Sequence, residues 1–388
     1  MKFSKRTAWN TEESELARAH RERLRAGLPT ADLTASNPTR CGFQYDSNIL
    51  AQLADPRTLD YDPNPRGLCV SRASVASYYA DHGAVVDPSQ VILTTSTSEA
   101  YSYLFRLLCD PGSEILIPQP SYPLFDFLAT LDDVRLRSAP LVYDHGWQIE
   151  PEGFRRAITP ATRAIVLVHP NNPTGHFTKP WEAKELATLC REHDLSLIVD
   201  EVFLDYAFTG ETSWTFSAGL EDVPIFVVSG LSKIAGLPQM KAAWIVAAGP
   251  ERNAALDRLE VIADTFLSMN APVQWAMPHW LAGRHAIQEQ IRCRVALNLV
   301  ELDRQLGEGG MVRRLEVEGG WYAVLRIPAL RTDEQAASEL LAQGVWVHPG
   351  HFFGMPESGW LVVSLLGPEQ EFRNGVTLLL NYLGTNHA

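Results

Sequence analysis

Six short β-branched runs recur between residues 89 and 248: QVILTT, SEILIP, RAIVLVH, LSLIVD, PIFVVS and AAWIVAA. Several are apolar at nearly every position, which is how a strand buried on both faces reads. Helix-length segments separate them. That alternation predicts an α/β fold with a mainly parallel central sheet flanked by helices. At 388 residues the chain exceeds what one ordinary core supports, so a second unit is expected.

The ends supply that unit. Residues 11–26 read as an amphipathic helix capped by Thr11 and stopped by Gly27 and Pro29. Residues 273–306 read as long helix broken near Pro278 and Gly283, ending at Gly307, Gly309 and Gly310. Beyond lie strand-like WYAVLRIP, helix-like TDEQAASELLAQ, then VWVHPG and GWLVVSLL. The expected division is a large domain over 48–272, a connecting helix over 273–299, and a smaller α+β domain built from 1–47 with 300–388.

Charge and composition exclude several functions. With 46 acidic against 33 basic side chains the formal charge is -13, which disfavours a nucleic-acid surface. No apolar run reaches the ~18–20 residues of a membrane span, and the N-terminus lacks a secretory apolar region. The five cysteines are scattered without a CxxC or Cys/His cluster. They read as reduced, mostly buried thiols, with no metal site and a cytoplasmic location expected.

Ligands of open α/β sheets bind beyond the carboxyl ends of the strands. Four such ends carry polar groups here: Ser96-Thr97-Ser98, His169 to Gly175, Asp200-Glu201 and Ser232-Lys233. The hydroxyls opening the helix after ILTT suit a phosphate at a helix N-terminus, or simply form the capping box Ser96-x-x-Glu99. Asn172 in NNPTG can donate to a phenolate-like oxygen, or belong to an ordinary turn. Asp200 can pair with a ring N–H, cap a helix or meet an arginine. Lys233, between VVSGLS and IAGLP, has little room for a solvated face. An amine and a carboxylate at neighbouring strand ends suit a carbonyl-bearing cofactor with a ring nitrogen.

These strings resemble the pyridoxal-phosphate enzymes of fold type I, the aspartate aminotransferase-like class I/II. The matching segments, in order, are YDPNPRGL (61–68), ILTTSTSEA (92–100), PSYPLF (120–125), HPNNPTG (169–175), VDEVFLDY (199–206), SGLSKIAGLPQMKAAW (229–244) and GVWVHPGHFFG (344–354). The resemblance implies that Lys233 forms the Schiff base and moves the proton. It implies that Asp200 keeps the ring nitrogen protonated, Asn172 donates to the ring oxygen and Tyr122 stacks on the ring. Thr97, Ser98, Ser232 and Lys241 would hold phosphate, and Tyr61 would reach the phosphate of a partner subunit, making a homodimer with shared active sites.

Three positions depart from the family pattern. Phe203 stands for a tyrosine, Lys241 for a phosphate-binding arginine, and Val362 for the arginine that binds the α-carboxylate. Either the substrate has no α-carboxylate or another cation binds it; Asn37 and Arg40, in the segment TASNPTRCGF, are the substrate-site candidates, with Arg40 the best replacement cation. The aromatic residues Tyr122, Phe203, Trp321, Tyr322, Phe352 and Phe353 either favour apolar substrates or pack the domain junction. The expected function is transfer of an amino group between an amino acid or amine and a 2-oxo acid. A lyase, decarboxylase or tailoring enzyme on the same scaffold is the alternative, and a non-catalytic regulatory module the third.

Overall fold

The computed structural model describes residues 1–208, 214–220, 222–307 and 310–385. Its central sheet has eight strands in the order Val91–Thr94, Ala243–Ala248, Ile225–Gly230, Ser196–Asp200, Thr162–Val168, Glu114–Gln119, Arg135–Tyr143 and Trp147–Ile149. The middle pairings are parallel. Ala243–Ala248 runs antiparallel to both its neighbours, and Trp147–Ile149 antiparallel to Arg135–Tyr143. All six apolar runs became strands of this sheet.

Side-chain alternation divides the sheet between two cores. Leu197 and Val199 face one, with Trp244 and Leu186. Ile198 faces the other, with Val168, Val228, Tyr101 and Phe105. Asp200 follows Ile198 by two residues and therefore points to this second face, where the helix Thr97–Leu108 packs. Leu197, Ile198 and Val199 are fully buried. Each contributes about 1.5–3 kcal/mol, enough together to offset the several kcal/mol that one desolvated carboxylate costs.

A four-stranded antiparallel sheet follows, ordered Arg313–Arg314, Tyr322–Arg326, Trp360–Ser364 and His348–Pro349. Ala31–Asp32 pairs in parallel with Val345–Trp346, so the N-terminal segment joins this smaller unit. Before it, an arm returns to the large sheet's side. Arg6 pairs with Asp133, and the Trp9 and Phe127 rings meet at 5.5 Å.

Three local expectations need correction. The first long helix is Glu15–Arg25, capped by Ser14 rather than Thr11, because Ser14 accepts from the Ala17 N–H. Pro278 does not break its helix: Ala271–Ala282 continues through it and the interruption falls at Gly283, before His285–Leu306. Cys41 and Cys190 are buried, but Cys69 and Cys293 are exposed and Cys109 is intermediate.

Gly175 shows why the NNPTG turn ends in glycine. Its φ is +70°, and a Cβ there would collide with the Val317 side chain and lie 2.5 Å from the Gly319 carbonyl oxygen. Gly27, at φ +65°, has nothing within 4 Å. Gly27→Ala should therefore cost only the left-handed backbone penalty, about 1 kcal/mol. Gly175→Ala adds overpacking, about 1–3 kcal/mol more. Thermal melting of both variants checks this order; equal losses would contradict it.

Candidate active site

Parallel register brings three strand ends together. Asp200 stands opposite Val168 on one side and Val228 on the other. Its Oδ1 accepts from the Val202 N–H and its Oδ2 from the Tyr101 hydroxyl, both at 3.0 Å. Burial pushes this carboxyl up to about 6, against the pull of those two donors and the Lys233 charge. Glu201 points the other way, taking Thr215 Oγ1 at 2.8 Å and the Phe216 N–H at 2.7 Å. Burial raises it to about 8.

Lys233 sits in the short helix Leu231–Ile234 that begins where the strand Ile225–Gly230 ends. A side chain at Gly230 would lie 2.8 Å from the Ala242 carbonyl oxygen, so glycine permits this close turn. Three side chains clamp the segment by its carbonyls. Tyr206 donates to Lys233 O at 2.7 Å, Gln288 to Ile234 O at 2.8 Å and Tyr45 to Gly236 O at 2.7 Å. The Lys233 Nζ lies 4.9 Å from the Trp321 ring centroid and 5.7 Å from that of Phe203. Desolvation lowers its pKa to about 8, while Asp200 works in the opposite sense. An amine held there is a nucleophile and base near neutral pH.

A row of groups able to meet an anion lies along the same sheet edge. Thr94 pairs with Ala243, and Ala243 with Gly230. The turn after Thr94 opens a helix whose N-cap is Ser96, accepting from the Glu99 N–H. The Glu99 carboxylate returns to the Thr95 N–H rather than to that of Ser96, so the expected capping box is displaced by one residue. Among the described residues, nothing accepts from the Thr97 and Ser98 amides. Those free N–H groups and the helix dipole could accommodate an anion. Ser232 lies across from it, since the adjacent Leu231 N–H bonds Ala242 O. Lys241 immediately precedes Ala242 and is exposed, with φ +52°.

Asn172 is buried and its Oδ1 has no partner among the described residues. The neighbouring Asn171 amide is used internally, donating to Pro120 O at 3.1 Å and Thr174 Oγ1 at 2.9 Å. Tyr122 is 43% exposed and meets Phe125 edge-on at 6.2 Å, leaving a ring face free. Its pKa is raised by burial and by the Asp200 charge.

Four of the aromatic residues form a connected chain. Phe203 and Trp321 meet at 5.2 Å, Phe203 and Tyr322 at 6.5 Å, and Tyr322 and Phe353 at 6.3 Å. Val362 is fully buried, flanked by Val324 and His348 in the small sheet. Asn37 caps the short turn Pro38–Arg40 through the Thr39 N–H; it and Arg40 are exposed, and Arg40 has no ion pair among the described residues. Tyr61 is 68% exposed, far outside any core.

Sequence reading missed Tyr101, whose hydroxyl meets Asp200. In TTSTSEAYSYLFRLL it looks like one more core aromatic. The available signal was its place on the turn after Ser98, over the face to which Asp200 points.

The residues fit pyridoxal 5'-phosphate. The ring nitrogen would find Asp200, its oxygen the Asn172 Nδ2–H, its aldehyde carbon Lys233, and its phosphate the Thr97–Ser98 N–H groups. In the protein without cofactor, carbamylation of Lys233 by cyanate should titrate with a midpoint near 8. Surface lysines titrate near ~10.4. Asp200→Asn removes a supporting anion and should move the Lys233 midpoint lower. Peptide mass spectrometry across pH checks both; a midpoint near that of surface lysines would contradict the desolvated site.

Comparison with known proteins gives the family. The model for "Aminotransferase class I and II" matches residues 41–379. Alanine aminotransferase of Mycobacterium bovis is 27% identical over 382 residues, covering 94% of this chain and 88% of the relative. The aspartate/prephenate aminotransferase of Thermus thermophilus is 28% identical over 373 residues, covering 94% and 93%. The solved alanine aminotransferase of Pyrococcus furiosus superposes with a TM-score of 0.90 at 22% identity, over 99% of this chain and 100% of that one. The chain belongs to the class I and II aminotransferases, enzymes that move an amino group between an amino compound and a 2-oxo acid.

Proposed function

We propose that this cleft binds pyridoxal 5'-phosphate and transfers the amino group of an amino acid to a 2-oxo acid. The observation that carries the reading is the convergence of a desolvated amine and a desolvated carboxylate on neighbouring strand ends. When bound, the cofactor supplies an electron sink for the charge left at the donor's α-carbon. Lys233 Nζ would hold the aldehyde carbon and would carry the proton to and from that α-carbon. Asp200 would accept from the ring nitrogen and keep it protonated. Asn172 would donate to the ring oxygen, and Tyr122 would cover one ring face. Thr97 and Ser98 donate N–H and hydroxyl groups to phosphate, with Ser232 and Lys241 completing the cradle.

Phe203 offers the ring oxygen no hydroxyl, so the oxygen depends more heavily on Asn172. The relatives' printed activities, on alanine with glutamate and pyruvate or on aspartate with prephenate, support an α-amino acid as donor. They also favour transfer over elimination or decarboxylation. Val362 offers no charge to the donor's carboxylate, so Arg40, exposed and without an ion pair among the described residues in the segment that also carries Asn37, takes that part. The cofactor-bearing unit is 48–272; residues 1–47 with 300–388 close on it through the helices after residue 272.

The same reading makes the protein a cytoplasmic homodimer. Leu59, Tyr61, Phe266 and Leu267 are half or more exposed around the Tyr61 turn, an apolar surface suited to a second copy. Tyr61 would donate to the partner's phosphate, which closes two shared sites.

Three outcomes test this. Lys233→Ala should abolish turnover. Arg40→Ala should raise the donor's KM by at least ~10-fold with kcat little changed, since the lost cation meets substrate alike in ground and transition states; an unchanged KM removes Arg40 from the site. Tyr61→Phe should weaken cofactor retention in a protein that sediments as a dimer; a monomer with full retention contradicts the shared site.

A further inference from the structure

The acid at the end of the strand Ser196–Asp200 has a companion that no motif announces. Tyr101 is 3% exposed and Asp200 is 7% exposed, and the hydroxyl meets Oδ2 at 3.0 Å. The phenol ring is fixed independently of that bond. Phe125 meets it edge-on at 5.1 Å and Phe105 at 6.0 Å. Its backbone lies one turn into the helix Thr97–Leu108, whose first amides are the ones able to meet an anion. One helix thus presents both the phosphate-facing N–H groups and a hydroxyl aimed at the carboxylate.

The chemistry of that donor is specific. A carboxylate has about four acceptor positions on two oxygens. Val202 N–H occupies one on Oδ1 and Tyr101 one on Oδ2, leaving positions for a ring N–H. An arginine or lysine at 101 would bring a charge and neutralise the site. A tyrosine hydroxyl stabilises the anion and leaves its charge uncancelled. We propose that Tyr101 is a positioning residue for the transfer reaction: through Asp200 it fixes the direction and the negative charge that the cofactor's ring nitrogen meets. This rests on the cofactor reading above.

The other titratable groups whose charges couple to Asp200 are Lys233 from the next strand end, Tyr122 after Gln119–Ser121 and, pointing to the opposite face of the sheet, Glu201 and Tyr79 of the helix Cys69–Asp81. None donates a hydrogen bond to it among the described residues. They are common to wild type and variant, so a difference between the two isolates Tyr101.

Tyr101→Phe in the full chain is the test. Without the hydroxyl, the Asp200 pKa should rise by ~1–2 units above its already raised value. Below about 6 the folded carboxyl is protonated in both proteins. Above it the variant must bury the anion with one donor fewer. In the cofactor-free proteins, the gap in Tm should therefore be small at pH 5 and widen between about 6 and 8. A gap equal at all pH values would mean that Tyr101 only packs, and would overturn the proposal. The second readout is the affinity for pyridoxal 5'-phosphate and for its 1-deaza analogue, which has C–H in place of the ring nitrogen. The variant should lose ~10-fold for the first and under ~2-fold for the second; equal losses overturn the link to the ring nitrogen. Wild-type protein that binds neither compound would remove the cofactor reading, while the pH-dependent gap still decides whether Tyr101 governs Asp200.

Discussion

A negative charge held away from water at the end of a central strand organises this molecule. Asp200 is stable there only because its strand has buried three apolar neighbours and because two neutral donors meet its oxygens. Its field reaches Lys233, opposing the desolvation that lowers the amine. No ion pair joins the two among the described residues, and a direct pair would have neutralised both groups. Separation preserves an amine that can lose its proton and a carboxylate that can hold one on a ligand. The space between them is what the surrounding clamps maintain: Tyr206, Gln288 and Tyr45 hold the lysine segment, and Tyr101 holds the acid.

The sheet was legible because a strand buried on both faces leaves an unbroken apolar run that few other elements produce. Its acid and its lysine were legible because each interrupts such a run at the strand's carboxyl end. Helix boundaries were less so. Thr11 and Ser14 both qualify as caps, and only the Ala17 N–H chooses between them. Pro278 lies inside the helix Ala271–Ala282 without ending it, while Gly283 caps it. The thiols at positions 69 and 293 came out exposed because helix faces, not residue type, decide which cysteines reach the core.

Tyr101 was hidden for a different reason. A tyrosine among Tyr103, Leu104 and Phe105 carries no local sign that its hydroxyl has a task. The partner is remote in sequence, and only the period of the strand and the docking of one helix bring the two together. Val362 presents the reverse case. The residue is plain in the sequence, and the structure shows it buried beside Val324 and His348, in a small sheet that offers no arginine at that place. In the proposed reading, recognition of the donor falls to the N-terminal segment with Arg40, and the aromatic chain from Phe203 to Phe353 lies alongside.

The central claim is that Lys233 and Asp200 act on one bound ring. Loading the protein with pyridoxal 5'-phosphate, reducing it with borohydride and mapping its peptides tests this most directly. The account predicts a single stable pyridoxyl group on Lys233 Nζ, formed in wild type and sharply diminished at low cofactor concentration in Asp200→Ala. Labelling spread over surface lysines, or labelling of Lys233 that is indifferent to Asp200, would contradict it.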